Sequence, residues 1–292
     1  MIANAYCNAC LLGKRLNDIP GGAAPEIAEE YRRRVREIID GHPEMSSPEK
    51  DYAINLAHEA LFGPVMDYAP IKAHFNAMLM AMEPMMMDGV RQADDPLRRA
   101  VQYAMTGNFI DFAVLGSVDE GKLHALIAES GAIPIDEGML ETLRAEVAKA
   151  RTLAYIVDNC GEIVMDRVLM RAMRDLNPSL EITVVVKGAP IVNDATREDV
   201  AQTRLLEVAR NIVDTGCGIA GCPENRLSAE CVEALDSADM LIAKGQANYE
   251  TLCDCGRNLF YIFMCKCQLF MERFGVPQFS GIICRETQQA DV

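Results

Sequence analysis

In the second half of the chain, short runs of apolar and β-branched residues alternate with helical stretches, and this alternation constrains the fold more than any other feature. The runs lie at 153–157, 182–186, 211–213, 240–243 and 260–263, and a last strand is predicted around Ile282. The stretches between them with helical spacing include 163–173, 197–209 and 229–235. Strands that are apolar along their length belong to parallel sheets covered on both faces. Residues 151–292 are therefore predicted to form an α/β domain with a doubly wound, mostly parallel sheet.

Residues 1–150 show helical periodicity instead, with no continuous β-branched run. Pro25 in a first helical turn and Gly41 at a helix end delimit one predicted helix. Ser47 is predicted to be the N-cap of the next helix, which Gly63 ends. This half is therefore predicted to be an all-α region that precedes the α/β domain.

Composition and charge narrow the class of protein. The 292 residues are half hydrophobic and about a quarter charged, as in soluble globular proteins. Forty-three acidic and 28 basic side chains give a net charge of −15, which disfavours nucleic acid and anionic membranes as partners. No run of about eighteen apolar residues is present, and the N-terminus lacks the pattern of a signal peptide. Eleven cysteines, an odd number, predict reduced thiols in the cytoplasm rather than a disulfide framework.

Polar residues are concentrated directly after the predicted strands, where open α/β sheets bind their ligands. Asp158, Asn159 and Glu162 follow the first strand, and Asn193 and Asp194 follow the second. Their carboxylate and amide oxygens are hard ligands, which suit Mg²⁺ or Mn²⁺ better than zinc. We therefore predict a divalent-metal site on Asp158, Asn159 and Asp194, with Mg²⁺ or Mn²⁺ favoured and Co²⁺ or Ni²⁺ as alternatives.

Cationic and amide side chains follow the fourth and fifth strands, where they would hold a phosphoryl group. Lys244 and Lys266 provide positive charge, and Asn248 or Gln246 would donate hydrogen bonds. With a metal ion they would stabilise charge on the phosphoryl oxygens, the main requirement of phosphoryl transfer. Neither a Walker A sequence nor a GxGxxG loop is present, which argues against a P-loop hydrolase and a dinucleotide-binding protein. The pattern favours phosphomonoester hydrolysis.

Several segments together resemble the metal-dependent damage-control phosphatases, a family long catalogued as a domain of unknown function. The similar segments are 158–162 (DNCGE), 187–194 (KGAPIVND), 244–250 (KGQANYE) and, in the helical half, 104–112 (AMTGNFIDF). The pair Cys7 and Cys10 also matches the cysteine pair of the family's mainly prokaryotic branch. The resemblance covers nearly the whole chain in the right order.

The resemblance implies a helical region packed on an α/β metal-binding domain with divalent-metal-dependent phosphatase activity. It also implies small phosphorylated metabolites as substrates, such as sugar phosphates or damaged cofactor precursors. The family's metal ligands fall on Asp158, Asn159 and Asp194, which we group with Glu162 as catalytic residues. Its phosphate and substrate contacts fall around Glu162, Lys244, Asn248 and Lys266, and Asn193 lies in the same motif as Asp194. Some members have an aspartate in place of Gln246, so their substrate preference does not transfer.

Two further pairs of residues each have two interpretations. Asn108 and Asp111 either line the cleft from the helical side, where they would contact substrate, or cap a helix. Cys7 and Cys10 either belong to a second metal or redox site or are ordinary thiols, because a lone CxxC needs further ligands.

The sequence leaves three functions open. The first is phosphomonoester hydrolysis, with water or the Asp158 carboxylate as nucleophile. Haloacid-dehalogenase phosphatases have a second acid where this chain has Cys160, and that difference favours water. The second is an S-adenosylmethionine-dependent carboxyl methyltransferase, for which the single glycine of the 158–162 loop is unfavourable. The third is a non-catalytic metal- or redox-sensing module built on the cysteines.

Overall fold

A six-stranded sheet forms the centre of the structure, a computed structural model that describes residues 1–64, 66–109 and 120–286. The strands are β1 (Thr152–Ile156), β2 (Glu181–Val186), β3 (Asn211–Asp214), β4 (Met240–Lys244), β5 (Leu259–Met264) and β6 (Gly281–Arg285). Their order is β3-β2-β1-β4-β5-β6. Strands β1 to β5 run parallel, and β6 pairs antiparallel with β5. The predicted mostly parallel sheet is therefore confirmed.

The chain changes direction across the sheet at β1, which pairs with β2 on one side and β4 on the other. Ile156, at the end of β1, lies opposite Val185 of β2 and Ala243 of β4. Such a reversal opens a crevice beyond the carboxyl ends of the central strands, because the connections leave in opposite directions. The loops that follow β1, β2 and β4 therefore meet at one place.

Helices supply most of the remaining regular structure. Before the sheet they are α1 (Ala5–Asn17), α2 (Pro25–Gly41), α3 (Ser47–Phe62), α4 (Ala69–Gln92), α5 (Pro96–Phe109), α6 (Glu120–Glu129) and α7 (Glu137–Lys149). Between the strands they are α8 (Glu162–Leu176), α9 (Arg197–Gln202), α10 (Ala229–Ser237), α11 (Gln246–Leu252) and α12 (Gln268–Phe274). Within the ranges that the structure describes, none of these helices is long and apolar enough to cross a membrane.

Each face of the sheet packs on its own hydrophobic layer, because side chains alternate along every strand. Tyr155 of β1 faces the larger cluster, which joins α4, α5, α7 and α8 to the sheet. Ile156 faces the second cluster, in which residues of α10, α11 and α12 such as Phe270 cover the other face. A third cluster, around Tyr31 and Ile54, joins α1, α2 and α3. The largest cluster contains residues from both sides of the predicted boundary at residue 150, so the two halves share a core.

Two of the differences between predicted and observed helix boundaries have a clear local cause. The helix predicted at 197–209 ends at Gln202, and Arg204 follows with a φ of +50°, a left-handed conformation that a right-handed helix cannot contain. The N-cap of α3 is Ser46 rather than Ser47. The Ser46 N–H donates to Glu49 Oε2 at 2.9 Å, and the Glu49 N–H donates to Ser46 Oγ at 3.4 Å. These reciprocal bonds form a capping box, and the predicted N-cap was one residue too late.

The Ser46→Ala substitution is expected to lower the free energy of unfolding by about 1 kcal/mol, because the capping box satisfies two backbone donors at the start of α3. Ser47→Ala is the matched control, since Ser47 lies inside the helix, and it should change the stability little. Chemical denaturation of both variants measures the difference. Equal losses in the two variants would contradict the assignment of Ser46 as the cap.

Candidate active site

The loops after β1 and β2 are joined backbone to backbone. Asn159 and Asp194 form an isolated antiparallel bridge, and the Ala195 N–H donates to the Asp158 carbonyl oxygen at 2.8 Å. The structure thus brings together the three predicted metal ligands, Asp158, Asn159 and Asp194, at the carboxyl edge of the sheet. Each is only 7–8% exposed, so the group is largely withdrawn from water.

Hydrogen bonds from two amides orient the side chains of Asp158 and Asn159. Asn159 Nδ2 donates to Asp158 Oδ2 at 2.8 Å and to Glu162 Oε2 at 2.9 Å. Asn108, near the end of α5, donates from Nδ2 to the same Asp158 oxygen at 2.8 Å. Both carboxylates thus bind the amino group of Asn159, which leaves its carbonyl oxygen as the atom that could bind a cation. A metal-binding amide needs this kind of support from the residues around it.

The loop after β4 closes over the Asp158 carboxylate. Gly245 has a φ of +81°, and a Cβ atom added there would lie 2.0 Å from Asp158 Oδ2. A larger residue would therefore collide with the carboxylate and strain the backbone. Asn248, buried in α11, donates from Nδ2 to the Lys244 carbonyl oxygen at 2.6 Å and to that of Val157 at 3.2 Å. Asn248 thereby fixes the β4 loop to the end of β1.

The surroundings of Asp158 raise the pKa of its carboxyl well above the ordinary value. Burial is the main cause, followed by the negative charges of Glu162 and Asp194. The charges of Lys266 and Lys187 oppose this rise in pKa. A cation beside Asp158 would relieve the same repulsion. Two carboxylates with an amide oxygen are hard donors of the kind that Mg²⁺ and Mn²⁺ take, so the residues present fit such an ion.

Lys244 lies at the end of β4 and is fully buried. Its Nζ donates to Glu162 Oε1 and Asp166 Oδ1, each at 2.7 Å, and to the Ala104 carbonyl oxygen at 2.9 Å. An ammonium group has three N–H donors, so in this arrangement none remains for the phosphate contact that was predicted. Burial acts to lower the pKa of Lys244, but the two carboxylates outweigh it and the pKa is raised. In this geometry Lys244 neutralises the carboxylates behind the site.

Asp166 is the second carboxylate bound to Lys244. Its Oδ1 also accepts a hydrogen bond from the Tyr155 hydroxyl at 2.8 Å. Burial raises the pKa of Asp166 to about 6, against the opposing charge of Lys244. Among the residues that the structure describes, Asp166 Oδ2 has no hydrogen-bond partner. Asp166 therefore depends on Lys244 to remain ionised in the interior.

The other predicted contact residues lie at the same edge of the sheet. Asn193, beside Asp194, is 6% exposed, and its Nδ2 has no hydrogen-bond partner within the described ranges. Lys266 is half-buried, and its N–H donates to Gln246 Oε1 at 2.6 Å. Asp111 lies outside the described residues.

The N-terminal cysteines do not join a larger set of metal ligands in the described structure. Across residues 1–64, 66–109 and 120–286, no three His, Cys, Asp or Glu side chains come together in a way that could hold a metal ion. Cys7 is half-buried and Cys10 is exposed, both in the first turns of α1. Burial and, next, the charge of Glu250 raise the pKa of the Cys7 thiol. A raised pKa disfavours the thiolate that metal or redox chemistry needs, and the second site stays a prediction.

The same observation, made on the described residues, applies to the metal site predicted on Asp158, Asn159 and Asp194. Asp158 and Asp194 are two carboxylates, so a metal ion bound between them needs amide or backbone oxygens as well. Asn159 is the predicted ligand that supplies an amide oxygen.

A family model for the damage-control phosphatase ARMT1-like domain matches residues 5–282. The chain belongs to this family. The family relationship implied by the sequence motifs is thereby confirmed, and it supports phosphatase activity.

Two curated relatives and one solved structure agree with this membership. A protein from Archaeoglobus fulgidus named damage-control phosphatase is 32% identical over 285 residues, which are 94% of this chain and 96% of that relative. The damage-control phosphatase PH1575 from Pyrococcus horikoshii is 33% identical over 186 residues, 63% of each chain. The crystal structure of a DUF89 family protein from the same organism superposes with a TM-score of 0.82, at 24% identity over 98% of this chain and 100% of that one. At that identity the superposition shows the shared fold.

Two charged residues at this edge of the sheet, Lys187 and Asp166, were not predicted as site residues. Lys187 follows β2, is 2% exposed and donates from Nζ to the Gly221 carbonyl oxygen at 2.6 Å. Its Nζ lies 3.9 Å from Asp194 Oδ2. The available signal was its position directly after a strand, as the first residue of the 187–194 segment. For Asp166 the signal was its distance of four residues from Glu162, which places both carboxylates on one face of α8.

Lys244→Met is expected to lower the free energy of unfolding by about 3–5 kcal/mol, because it leaves Glu162 and Asp166 buried without their counter-charge. The loss should shrink as the pH falls towards about 6, the pKa of Asp166 in the presence of Lys244, since Asp166 in the variant takes up its proton at higher pH and the protonated carboxyl no longer needs a cation. Urea denaturation between neutral and mildly acidic pH measures both effects.

Lys50→Met is the matched control for Lys244→Met. Lys50 is equally buried, but its Nζ donates to neutral oxygens, Asn8 Oδ1 at 3.0 Å and the Ile39 carbonyl at 2.8 Å. Its loss should be smaller, about 1–3 kcal/mol, and should not depend on the ionisation of a carboxyl group. Equal and pH-independent losses in the two variants would rule out the charge-neutralising role of Lys244.

Proposed function

We propose that this protein is a divalent-metal-dependent phosphatase that hydrolyses small phosphorylated metabolites. The observation that carries the proposal is the charge balance of the acidic cluster, the group of buried charged side chains linked by contacts around Asp158 and Asp194. In the described part of the chain it contains the carboxylates of Asp158, Glu162, Asp166, Asp194 and Asp199 and the ammonium groups of Lys72, Lys187 and Lys244. When all the carboxyls are ionised, an excess of two negative charges remains, equal to the charge of one divalent cation.

The proposed ligands of the cation are Asp158, Asn159 and Asp194, with Mg²⁺ or Mn²⁺ favoured and Co²⁺ or Ni²⁺ as alternatives. When bound, such an ion neutralises the excess charge and withdraws electron density from the phosphoryl oxygens. The chain itself holds the ligand oxygens in position through Asn108, and the close approach of Gly245 shields the Asp158 carboxylate from water.

The phosphoryl group is proposed to bind beside Asn193 and Lys266. The Nδ2 of Asn193 is buried and has no acceptor among the residues described, and a phosphoryl oxygen would provide one. Lys266 is half-buried, and its charge reaches Asp158, so its ammonium group is the proposed positive charge at the rim of the site. Local donors are needed because the net charge of −15 repels anionic substrates at longer range.

Water is the proposed nucleophile. Asp158 Oδ2 already accepts two hydrogen bonds and lies against Gly245, which leaves it poorly placed to attack a phosphorus atom. Cys160 is buried, and burial raises the pKa of its thiol, so a thiolate attack is disfavoured. Both observations support hydrolysis without a covalent intermediate on either side chain.

The proposed substrates are sugar phosphates and damaged cofactor or metabolite phosphates. This class follows the resemblance described above and the name damage-control phosphatase that two relatives carry. A cytoplasmic location is part of the proposal, and the eleven cysteines, all free thiols, are consistent with a reducing compartment.

Metal-stripped protein is expected to release phosphate from a hexose phosphate only after Mg²⁺ or Mn²⁺ is added back. Asp158→Asn should lower kcat/KM by about 100-fold or more, because it removes a charged ligand from the site. Asp136→Asn is the control, an exposed aspartate that caps α7, and it should leave turnover unchanged. A colorimetric phosphate assay measures both. Phosphate release in excess chelator equal to that with added metal would contradict the proposal.

Asn193→Ala is expected to raise KM for a phosphate ester about tenfold, since a hydrogen bond to the phosphoryl group contributes about 1–2 kcal/mol. Inorganic phosphate should inhibit the variant correspondingly less. The free energy of unfolding should not fall, because Asn193 Nδ2 makes no described hydrogen bond that the substitution would remove. Steady-state kinetics and urea denaturation give the two results, and an unchanged KM with unchanged phosphate inhibition would exclude Asn193 from the phosphate site.

A further inference from the structure

One face of α4 reaches both loops that carry the proposed ligands. Asn76 Oδ1 accepts a hydrogen bond from the Gly161 N–H at 2.7 Å, in the loop after β1. Lys72 donates from Nζ to the Asp194 carbonyl oxygen at 2.8 Å, in the loop after β2. Lys72 and Asn76 are four residues apart, so they lie on the same face of the helix. A single helical turn therefore contacts the Asp158 loop and the Asp194 loop at once.

Asp199 joins Lys72 and Asn76 to each other. Its Oδ1 accepts from Asn76 Nδ2 at 2.8 Å, and its Oδ2 lies 2.7 Å from Lys72 Nζ. The same carboxylate accepts from the Thr196 N–H at 2.8 Å and the Thr196 hydroxyl at 2.9 Å, at the start of α9. Asn76 and Asp199 are each 1% exposed, and Lys72 is 8% exposed. A buried polar group left unpaired costs about 1–3 kcal/mol, so these mutual bonds favour one arrangement.

The contacts that α4 makes with the two loops are to backbone atoms. The Gly161 N–H lies at the start of α8, where it has no carbonyl partner within that helix, and Asn76 satisfies it. Gly161 has a φ of +70°, and a Cβ atom there would lie 3.1 Å from Leu79, so α4 packs closely on this turn. Lys72 binds the Asp194 carbonyl oxygen, so this contact holds the backbone of the loop after β2.

We propose that Lys72, Asn76 and Asp199 form a clamp that sets the separation of the two ligand-bearing loops. None of the three is a proposed ligand of the cation or the phosphate, so they act through the loops and are positioning residues. The clamp rests on the proposed function, because it assumes that oxygens on the two loops bind one cation. Its role in metal binding follows from the need to keep those oxygens within a few tenths of an ångström of their places.

Calorimetric titration of the metal-free protein with Mn²⁺ alone is the first test of the clamp. Lys72→Met and Asn76→Ala should each raise the dissociation constant about 10–100-fold, the usual effect of removing support behind metal ligands. Val90→Ala is the matched control, because Val90 is a core residue of the same helix, 2% exposed. It removes buried apolar contact and should leave the dissociation constant unchanged.

Hydrogen exchange in the metal-free protein is the second test and does not depend on a cation. Asn76→Ala should speed exchange of the Gly161 amide on the order of tenfold beyond the effect of Val90→Ala, because it removes the acceptor of that N–H. A wild-type protein that binds no Mn²⁺ would overturn the proposed function while the exchange result still decides the clamp. Affinity and exchange indistinguishable from Val90→Ala in both clamp variants would overturn the clamp.

Discussion

Buried negative charge at the carboxyl edge of the sheet is the constraint on which the rest of the structure depends. Asp158 and Asp194 are nearly withdrawn from water, and Glu162 is wholly buried behind them. Ionised groups in such a place are costly unless opposite charge lies beside them. Lysines from separate elements provide it: Lys187 follows β2 and Lys244 ends β4. The pairing of β2 and β4 with β1 therefore brings counter-charge to this edge and also buries apolar surface.

The basic residues divide into two kinds according to their exposure. Lys244 is fully buried with its donors used by protein oxygens, and Lys187 is 2% exposed. Such groups balance charge permanently, because moving them to a ligand would leave a carboxylate unpaired. Lys266 is only half-buried at the rim, and its charge reaches Asp158. The electrostatic potential at the rim therefore depends on Lys266 as well as on the net charge of −15. The net charge acts over longer distances and is screened by salt.

Sequence patterns correctly predicted the elements that depend on residues close together in the chain. Apolar runs mark the strands, and the polar residues that follow them, such as Asp158 and Asp194, must gather at one edge once the strands are parallel. The partner of Lys244 is not local, because it depends on how α8 packs against β4. Lys72 and Asn76 were missed for the same reason. They lie on a helix whose apolar residues are typical of a core helix. Their partners are more than eighty residues further along the chain.

The helical half contributes directly to the site on the sheet. Asn108 of α5 bonds the Asp158 carboxylate, and Asn76 of α4 bonds the turn that follows it. Residue 150 separates two patterns of secondary structure, but the largest hydrophobic cluster and the hydrogen bonds of the acidic cluster both extend across it. The sheet supplies the loops that carry the proposed ligands, and α4 and α5 hold those loops through hydrogen bonds of Lys72, Asn76 and Asn108. A change in the packing of α4 on α8 would therefore reach the Asp158 loop without altering any residue in it.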